Sequence, residues 1–462
     1  MIYEDKKVSD IRIAYIGGGS MGWAWTFMTD LSLEDKISGT IRLYDINNEA
    51  AKRNEIIGNS LQSDPKRKGK WTYTTSNSLK EALTGADFVV ISILPGTFEE
   101  MRSDVHSPEK YGINQPVGDT TGPGGLIRAL RTIPMFVEIA EAIKQHSPDA
   151  WVINYTNPLA LCVRTLYKVF PEIKAFGCCH EVFNTQNLLV SMCKEKLGME
   201  HIDRHEIHVN VMGINHFTWF DHASYQGVDL FPMYRQFADE HRDTGYPKGF
   251  DGYLKDVFAC SHKVKFDLFR KYGLIAAAGD RHLAEFMPPY YLKDIDTAHS
   301  CGFTFTPVDY RVKDLHNRQK RSERLLNGKE QLDYSPSGEE GILLIKSLVG
   351  LERTISNVNL PNIGQISNLP LGAIVETNAV FEKDHIAPVF AGSIPDNVRE
   401  LIAPHVQNQA DIMDAAVTCD RELALKAFRN DPLVTINKDE AGKLFDEMLE
   451  NTKAYLPAEW FR

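Results

Sequence analysis

The stretch "IAYIGGGSMGWAWTFMTDL" (residues 13–31) runs a short apolar segment straight into three consecutive glycines. A strand buried on both faces of a parallel sheet needs that apolar continuity. Gly17-x-Gly19-x-x-Gly22 then opens a helical stretch through Leu31. A second strand, "GTIRLYDI" (39–46), carries Asp45, 23 residues beyond Gly22. Each part has a mechanical reason. Gly17 permits a tight turn, Gly19 lets the backbone approach a pyrophosphate, and Gly22 lets helix and strand pack closely. Asp45 stands where a carboxylate accepts from both adenosine ribose hydroxyls and disfavours a 2′-phosphate, which predicts NAD as cofactor rather than NADP.

Working outward, "GADFVVISILPG" (85–96) and "AWVINYTNP" (150–158) read as later strands of the same sheet, and "IKAFGCCHE" (173–181) as one more. Ligands of such sheets bind beyond the carboxyl ends of the strands. Pro95, Asn154 and Asn157 are therefore expected near the cofactor by position, and the last strand delivers Cys179 and His180 to the same rim. The fold class is α/β: a Rossmann-type, doubly wound parallel sheet over residues 1–198. Residues 199–462 form a second, α+β domain, in which "IHVNVMGINHF" (207–217) and "NVNLPNIGQISNLPLGAIVETNAVF" (357–381) read as strands and turns. "SGEEGILLIKSLVG" (337–350) reads as a helix. This second domain is expected to carry substrate, metal and oligomer surfaces.

A chain of 462 residues exceeds one ordinary core, in keeping with two domains. The balance of 51 basic against 62 acidic residues, a net charge of −11, argues against nucleic acid or an anionic membrane as partner. No run approaches the roughly 20 apolar residues of a membrane helix, and the N-terminus lacks a signal-peptide pattern. Seven irregularly spaced cysteines fit reduced thiols and a cytoplasmic setting better than a disulfide framework.

Cys179, in "GCCHEVFNTQ" (177–186), and His216, in "GINHFTWF" (213–220), are 37 residues apart. That spacing alone does not make a metal site, since a buried thiol or a hydrogen-bonded core histidine explains each one equally well. The order of motifs carries more. The glycine fingerprint, "NYTNP" (154–158), "CCHE" (178–181), "GINHF" (213–217) and "LPLGAIVETNA" (369–379) together resemble glycoside hydrolase family 4. These are NAD- and manganese-dependent glycosidases built like lactate and malate dehydrogenases, and they stand apart from two-carboxylate glycoside hydrolysis. Through "GDTTGPGGLIRALR" (118–131), "GCCHEVF", "GINHFTWF" and "AAGDRHLAEF" (277–286), the chain is most similar to the branch acting on α-galacturonides.

The resemblance implies a mechanism. NAD⁺ takes a hydride from C3 of the sugar, the C2 proton becomes acidic enough for a base, elimination expels the C1 substituent, water adds, and C3 is reduced again. It implies Cys179 and His216 as ligands of Mn²⁺ or another divalent cation, which acts as a Lewis acid. His180 is expected as general acid, with a role in orienting the neighbouring ligand residues as the alternative. Asp280 is the expected C2 base, with Tyr290 and Tyr291 as alternatives. Asn157, Asn215 and His282 are expected to contact substrate.

Substrate choice turns on charge. Leu94 stands where phosphate-specific members carry an arginine, so a sugar phosphate is not expected. Arg281 is a candidate fork for a C6 carboxylate, although pairing with Asp280 or Glu285 would equally explain it. Arg128 and Arg131 are read as a helix face near the cofactor. The expected substrate is a small oligosaccharide or uronic-acid glycoside, and the expected assembly a homodimer or homotetramer. α-Glucuronidase or α-galactosidase activity, an NAD-dependent 2-hydroxyacid dehydrogenase and a non-catalytic NAD(H) sensor are the alternatives.

Overall fold

The computed structural model describes residues 1–462. Seven strands come from the first half: β1 (Ile2–Glu4), β2 (Lys7–Ile16), β3 (Ile37–Tyr44), β4 (Lys70–Thr75), β5 (Phe88–Ile91), β6 (Trp151–Asn154) and β7 (Lys174–Gly177). Six of them lie parallel in the order β4-β3-β2-β5-β6-β7, with β1 folded back antiparallel on β2. This is the doubly wound order. The chain leaves β2 in one direction for β3 and returns on its other side for β5, which opens a crevice at the carboxyl ends of β2 and β5. The residues explain the burial. β5 is Phe-Val-Val-Ile, entirely buried, because helices cover both faces of a central parallel strand.

A second sheet follows, built from β8 (Ile207–Ile214), β9 (Phe217–Tyr225), β10 (Val228–Asp229) and β11 (Ile275–Ala276), each of the others pairing antiparallel with β9. The chain then returns to the first sheet. β12 (Thr354–Pro361), β13 (Ile374–Glu382) and β14 (His385–Pro388) extend it antiparallel beyond β7, through the pair Asn359–Gly177. A division at 198/199 therefore does not separate the packing. One hydrophobic cluster joins Ile13, Leu43 and Phe176 to Ile345, Val358 and Phe381, and another joins Leu126 and Ile133 to Phe217, Phe286 and Leu444. The physical reason is the open edge of β7, which a strand from the second half covers. No helix is long and apolar enough to cross a membrane.

Candidate active site

At the end of β2 the backbone reverses at Gly17, whose φ of 93° suits glycine. Any Cβ there would lie 2.0 Å from the Ser92 carbonyl oxygen. The N–H groups of Gly17 and Gly18 both donate to the Tyr44 carbonyl, at 2.9 Å each. Asp45 accepts from the Gly19 N–H (2.9 Å) and from the Asn47 N–H (2.8 Å), so the carboxylate is already oriented at the glycine turn. The close strand contact expected of Gly22 belongs to Gly18, where a Cβ would meet Leu43. Gly22 instead faces the Arg318 guanidinium, on the helix Val308–Leu326.

Pro95 and Asn154 sit at the carboxyl ends of β5 and β6 but are spoken for. The Pro95 carbonyl accepts from Arg131 Nε (3.0 Å), and Arg131 is itself paired with Asp104 in the dry interior. The Asn154 amide is fully buried and closes on both backbone groups of Thr156 (3.0 Å each). It shapes the turn before the cis Asn157–Pro158 bond instead of offering a side chain to a cofactor.

The β8–β9 hairpin turns at Asn215 and His216, and His216 has φ 63°. Histidine is among the few residues besides glycine that adopt this left-handed conformation readily, so the tight turn is compatible with an imidazole at its tip. His216 Nδ1 meets the Thr120 hydroxyl at 2.9 Å. Its ring lies 3.9 Å, centroid to centroid, from that of His282. Asp119, from "GDTTGPGG", completes a group whose ligand atoms all lie within 4.8 Å of one another. Asn157 Nδ2 donates to Asp119 Oδ2 (3.3 Å), and Arg128 Nε donates to the Asn157 carbonyl (3.2 Å). Burial would raise the Asp119 carboxyl, but Arg128, joined by the two imidazoles at acid pH where they are charged, outweighs it and holds it below the usual range. Burial pushes His216 down, and burial together with His216 pushes His282 down to about 3, so both rings are neutral.

Cys179 lies outside that compact group and on its border. It is half-buried, with the Asn215 amide against its sulfur. Burial, then the carboxylates of Glu376 and Glu181, push its thiol well above the ordinary value. Asn215 Nδ2 reaches Glu376 Oε2 at 3.4 Å, and Glu376 also accepts from Asn357 (2.7 Å). Burial raises Glu376 to about 7 against those hydrogen bonds.

His180 immediately precedes the helix Glu181–Leu197, with Nδ1 3.1 Å from Glu339 and Nε2 3.8 Å from Glu181. The hydrogen bond to Glu339 overcomes burial, and with Glu181 and Glu376 it raises the imidazole to about 9. Glu181 would be raised by burial. His282, His180, His216 and the Gly279 N–H reverse this and hold it at about 2.

Asp280 corrects the sequence expectation. Its fully buried carboxylate accepts from the N–H groups of Val264 (3.1 Å) and Lys265 (3.3 Å), at the start of the helix Lys263–Tyr272. It is turned toward Cys260 and His262 and away from His282, as residues two apart on a helical turn point in different directions. Arg281 is paired with neither Asp280 nor Glu285; its Nη1 donates to Thr306 Oγ1 (2.6 Å). Tyr291 donates to Asp267. Asp119, Glu181, Glu339 and Glu376 were missed as site residues. The first two lie inside quoted motifs, and their signal was a carboxylate within a loop rich in glycine or chemistry-bearing residues. Glu339 and Glu376 also lie inside stretches read above, residues 337–350 and 369–379, but as parts of a helical and a strand reading with nothing local to aim either carboxylate at the crevice.

Fold and site together define an α/β enzyme of the Rossmann type, whose crevice joins a glycine turn to a nest of imidazoles and carboxylates. The family model described as Family 4 glycosyl hydrolase matches residues 12–195, and that of the Family 4 glycosyl hydrolase C-terminal domain matches residues 211–434. The chain belongs to family 4 of the glycosyl hydrolases. It is 61% identical to an alpha-galacturonidase of Lachnoclostridium phytofermentans over 100% of both chains. The crystal structure of lplD from Bacillus subtilis, described as a glucosidase, superposes with a TM-score of 0.92 at 50% identity, covering 96% of this chain and 100% of that one. A 6-phospho-alpha-glucosidase from gut microorganisms, solved in complex with NAD and Mn²⁺, shares the fold at 22% identity with a TM-score of 0.80, over 97% of this chain and 99% of that one.

Proposed function

We propose that this enzyme hydrolyses α-linked galacturonides, with NAD and a divalent cation such as Mn²⁺ as cofactors. The full-length likeness to an alpha-galacturonidase supports the substrate class. The observation that carries the chemistry is the convergence of Asp119, His216 and His282, with Asp119 tied to Asn157 after β6 and Cys179 set against Asn215, the neighbour of His216. The residues fit both groups. His282 Nδ1 and Asn215 Oδ1 are buried with no protein partner, as donor atoms awaiting a ligand are. Gly17, Gly18 and Gly19 leave bare backbone beside Asp45. Asp119, His216 and His282, with Cys179 at the border, would hold the cation; Gly17, Gly19 and Asp45 would hold the dinucleotide. When bound, the dinucleotide supplies reversible hydride removal and the cation supplies Lewis acidity.

The chain's own residues divide the remaining work. The His180 imidazolium, kept charged by Glu339, donates a proton to the departing glycosidic oxygen. With Asp280 committed to a helix start and Asp119 among the residues that would hold the cation, Glu181, against His282, is the remaining ionised carboxylate facing the cluster and accepts the C2 proton. Asn157 and Asn215 orient sugar hydroxyls. Seven free cysteines suit a cytoplasmic, reducing setting. Exposed Ile363, Leu371 and Phe390 suit self-association as a homodimer or homotetramer.

Incubation with 4-nitrophenyl α-galacturonide, NAD⁺ and Mn²⁺ in D₂O, followed by NMR of the product, tests the reading. Deuterium at C2 is expected. Full-rate hydrolysis without cofactors and with an unlabelled C2 would sink it.

A further inference from the structure

Three guanidinium groups converge on this crevice, and none has a carboxylate partner in contact. Arg281, 7% exposed, donates only to the neutral Thr306 hydroxyl. Arg128 donates only to the Asn157 carbonyl, and its Nη1 is buried without a partner. Arg311, half-buried near the start of the helix Val308–Leu326, enters no ion pair or side-chain hydrogen bond. Arg281 and Arg311 share one aromatic ring: their guanidinium carbons lie 5.1 and 5.8 Å from the centroid of Phe258. The nearest buried carboxyl from the Arg281 helix, Glu285, is taken by the N–H groups of Val117 and Gly118. Asp119 is the carboxylate that acts on both Arg128 and Arg311, with Asp104 adding to the field at Arg128 and Asp314 at Arg311, none of them in contact with the guanidinium groups.

Arg281 and Arg311, held against one ring with no carboxylate in contact with either, can take an incoming anion without first giving up an ion pair. Burial pulls the Arg311 guanidinium below its ordinary value; Asp119 opposes this, while Arg281 and Arg128 add to it.

We infer that Arg281 and Arg311, set against Phe258, form a two-arginine clamp for the C6 carboxylate of the sugar and give the enzyme its preference for a uronide over a neutral glycoside. The sequence pointed to Arg281 alone; Arg311 and Phe258 come from the structure. The inference rests on the proposed α-galacturonide activity, and the test separates the two.

Calorimetric titration of the NAD- and manganese-loaded enzyme with D-galacturonate and with D-galactose reads the preference directly. In Arg311→Gln the ratio of the two affinities should fall by about tenfold or more, through weaker galacturonate binding. The KM for 4-nitrophenyl α-galacturonide should rise by a similar factor, with kcat changed by less than about threefold. Arg311→Lys, which keeps the charge but not the fork, should fall between, and Arg281→Lys provides a second probe should Arg311→Gln fold poorly. Equal losses for both sugars, or an unaltered ratio in an enzyme that still cleaves the uronide, overturn the clamp and leave the functional reading standing. A wild-type enzyme that leaves the uronide intact overturns both.

Discussion

The imidazoles of His216 and His282 lie 3.9 Å apart, centroid to centroid, and are inclined by 33°. Two buried rings in such contact cannot both carry a proton without severe repulsion, and burial keeps each of them neutral. A neutral imidazole offers one lone pair. His216 anchors Nδ1 on Thr120, and His282 leaves Nδ1 unpartnered, so the pair presents free nitrogen beside the Asp119 carboxylate. Neutral nitrogen and ionised oxygen form the donor set of a divalent cation.

Cation binding should therefore depend on these rings more than on the hairpin that holds them. His216→Asn keeps a residue tolerant of the left-handed backbone and removes the imidazole. Manganese at about 100 times its Kd should stabilise the wild type by about 2.7 kcal/mol. That thermal shift should vanish in His216→Asn and in His282→Ala, with activity reduced by roughly 100-fold or more. A chelator should abolish wild-type activity, and Mn²⁺ should restore it. Undiminished thermal shifts in both variants would remove the rings from the cation site.

The acid role of His180 has a pH signature. The folded imidazole is raised to about 9, above an unfolded value near 6.5. Its proton is thus retained at neutral pH, and kcat/KM should decline as pH rises through about 9. The same sign holds for stability: the contribution of the His180–Glu339 pair is complete below the unfolded pKa and disappears as pH climbs through the folded one. Glu339→Gln removes the leading cause of the elevation, so the alkaline limb of the rate profile should move to lower pH. A limb that stays in place would separate Glu339 from the proton donor.

Asp280 should behave as a structural residue. Asp280→Ala removes the acceptor for two N–H groups at a helix start, a loss of about 1–2 kcal/mol in urea unfolding. The folded fraction should keep kcat within about threefold. A loss of roughly 1,000-fold in kcat from a well-folded variant would restore Asp280 as the base.

Asp45 is positioned by the Gly19 and Asn47 N–H groups before any ribose arrives. Asp45→Ala should weaken NAD by roughly tenfold and relax discrimination against NADP, because a charge-assisted hydrogen bond and a repulsion vanish together. Fluorescence titration with NADH and NADPH measures both. Equal weakening of the two would assign Asp45 to the turn alone.

Much of the nucleotide-binding half is legible in the sequence because its rules are local. A reversed turn needs Gly17, a buried strand needs an unbroken apolar run, and a carboxylate after β3 needs only its place in the chain. Cys179, His180, His216 and His282 were marked by resemblance, through the short motifs that contain them. Other features depend on distant partners. The same "GDRH" segment sends Arg281 and His282 toward the crevice and Asp280 toward the start of another helix, a choice made by the packing of Lys263–Tyr272. Glu339 reaches His180, and Glu376 reaches Asn215, only because β12 and β13 close the open edge of the first sheet.

By itself, then, the chain's order of residues determined a doubly wound sheet and a glycine turn, since each follows from constraints spanning a few residues, while the thiol and imidazoles at the rim were singled out by resemblance. Tertiary structure alone decided which charges meet. It added Asp119 to the two histidines, set Glu339 against His180, withdrew Asp280 and brought Arg311 beside Arg281, because burial and Coulomb energy depend on distances in space that residue numbers do not contain.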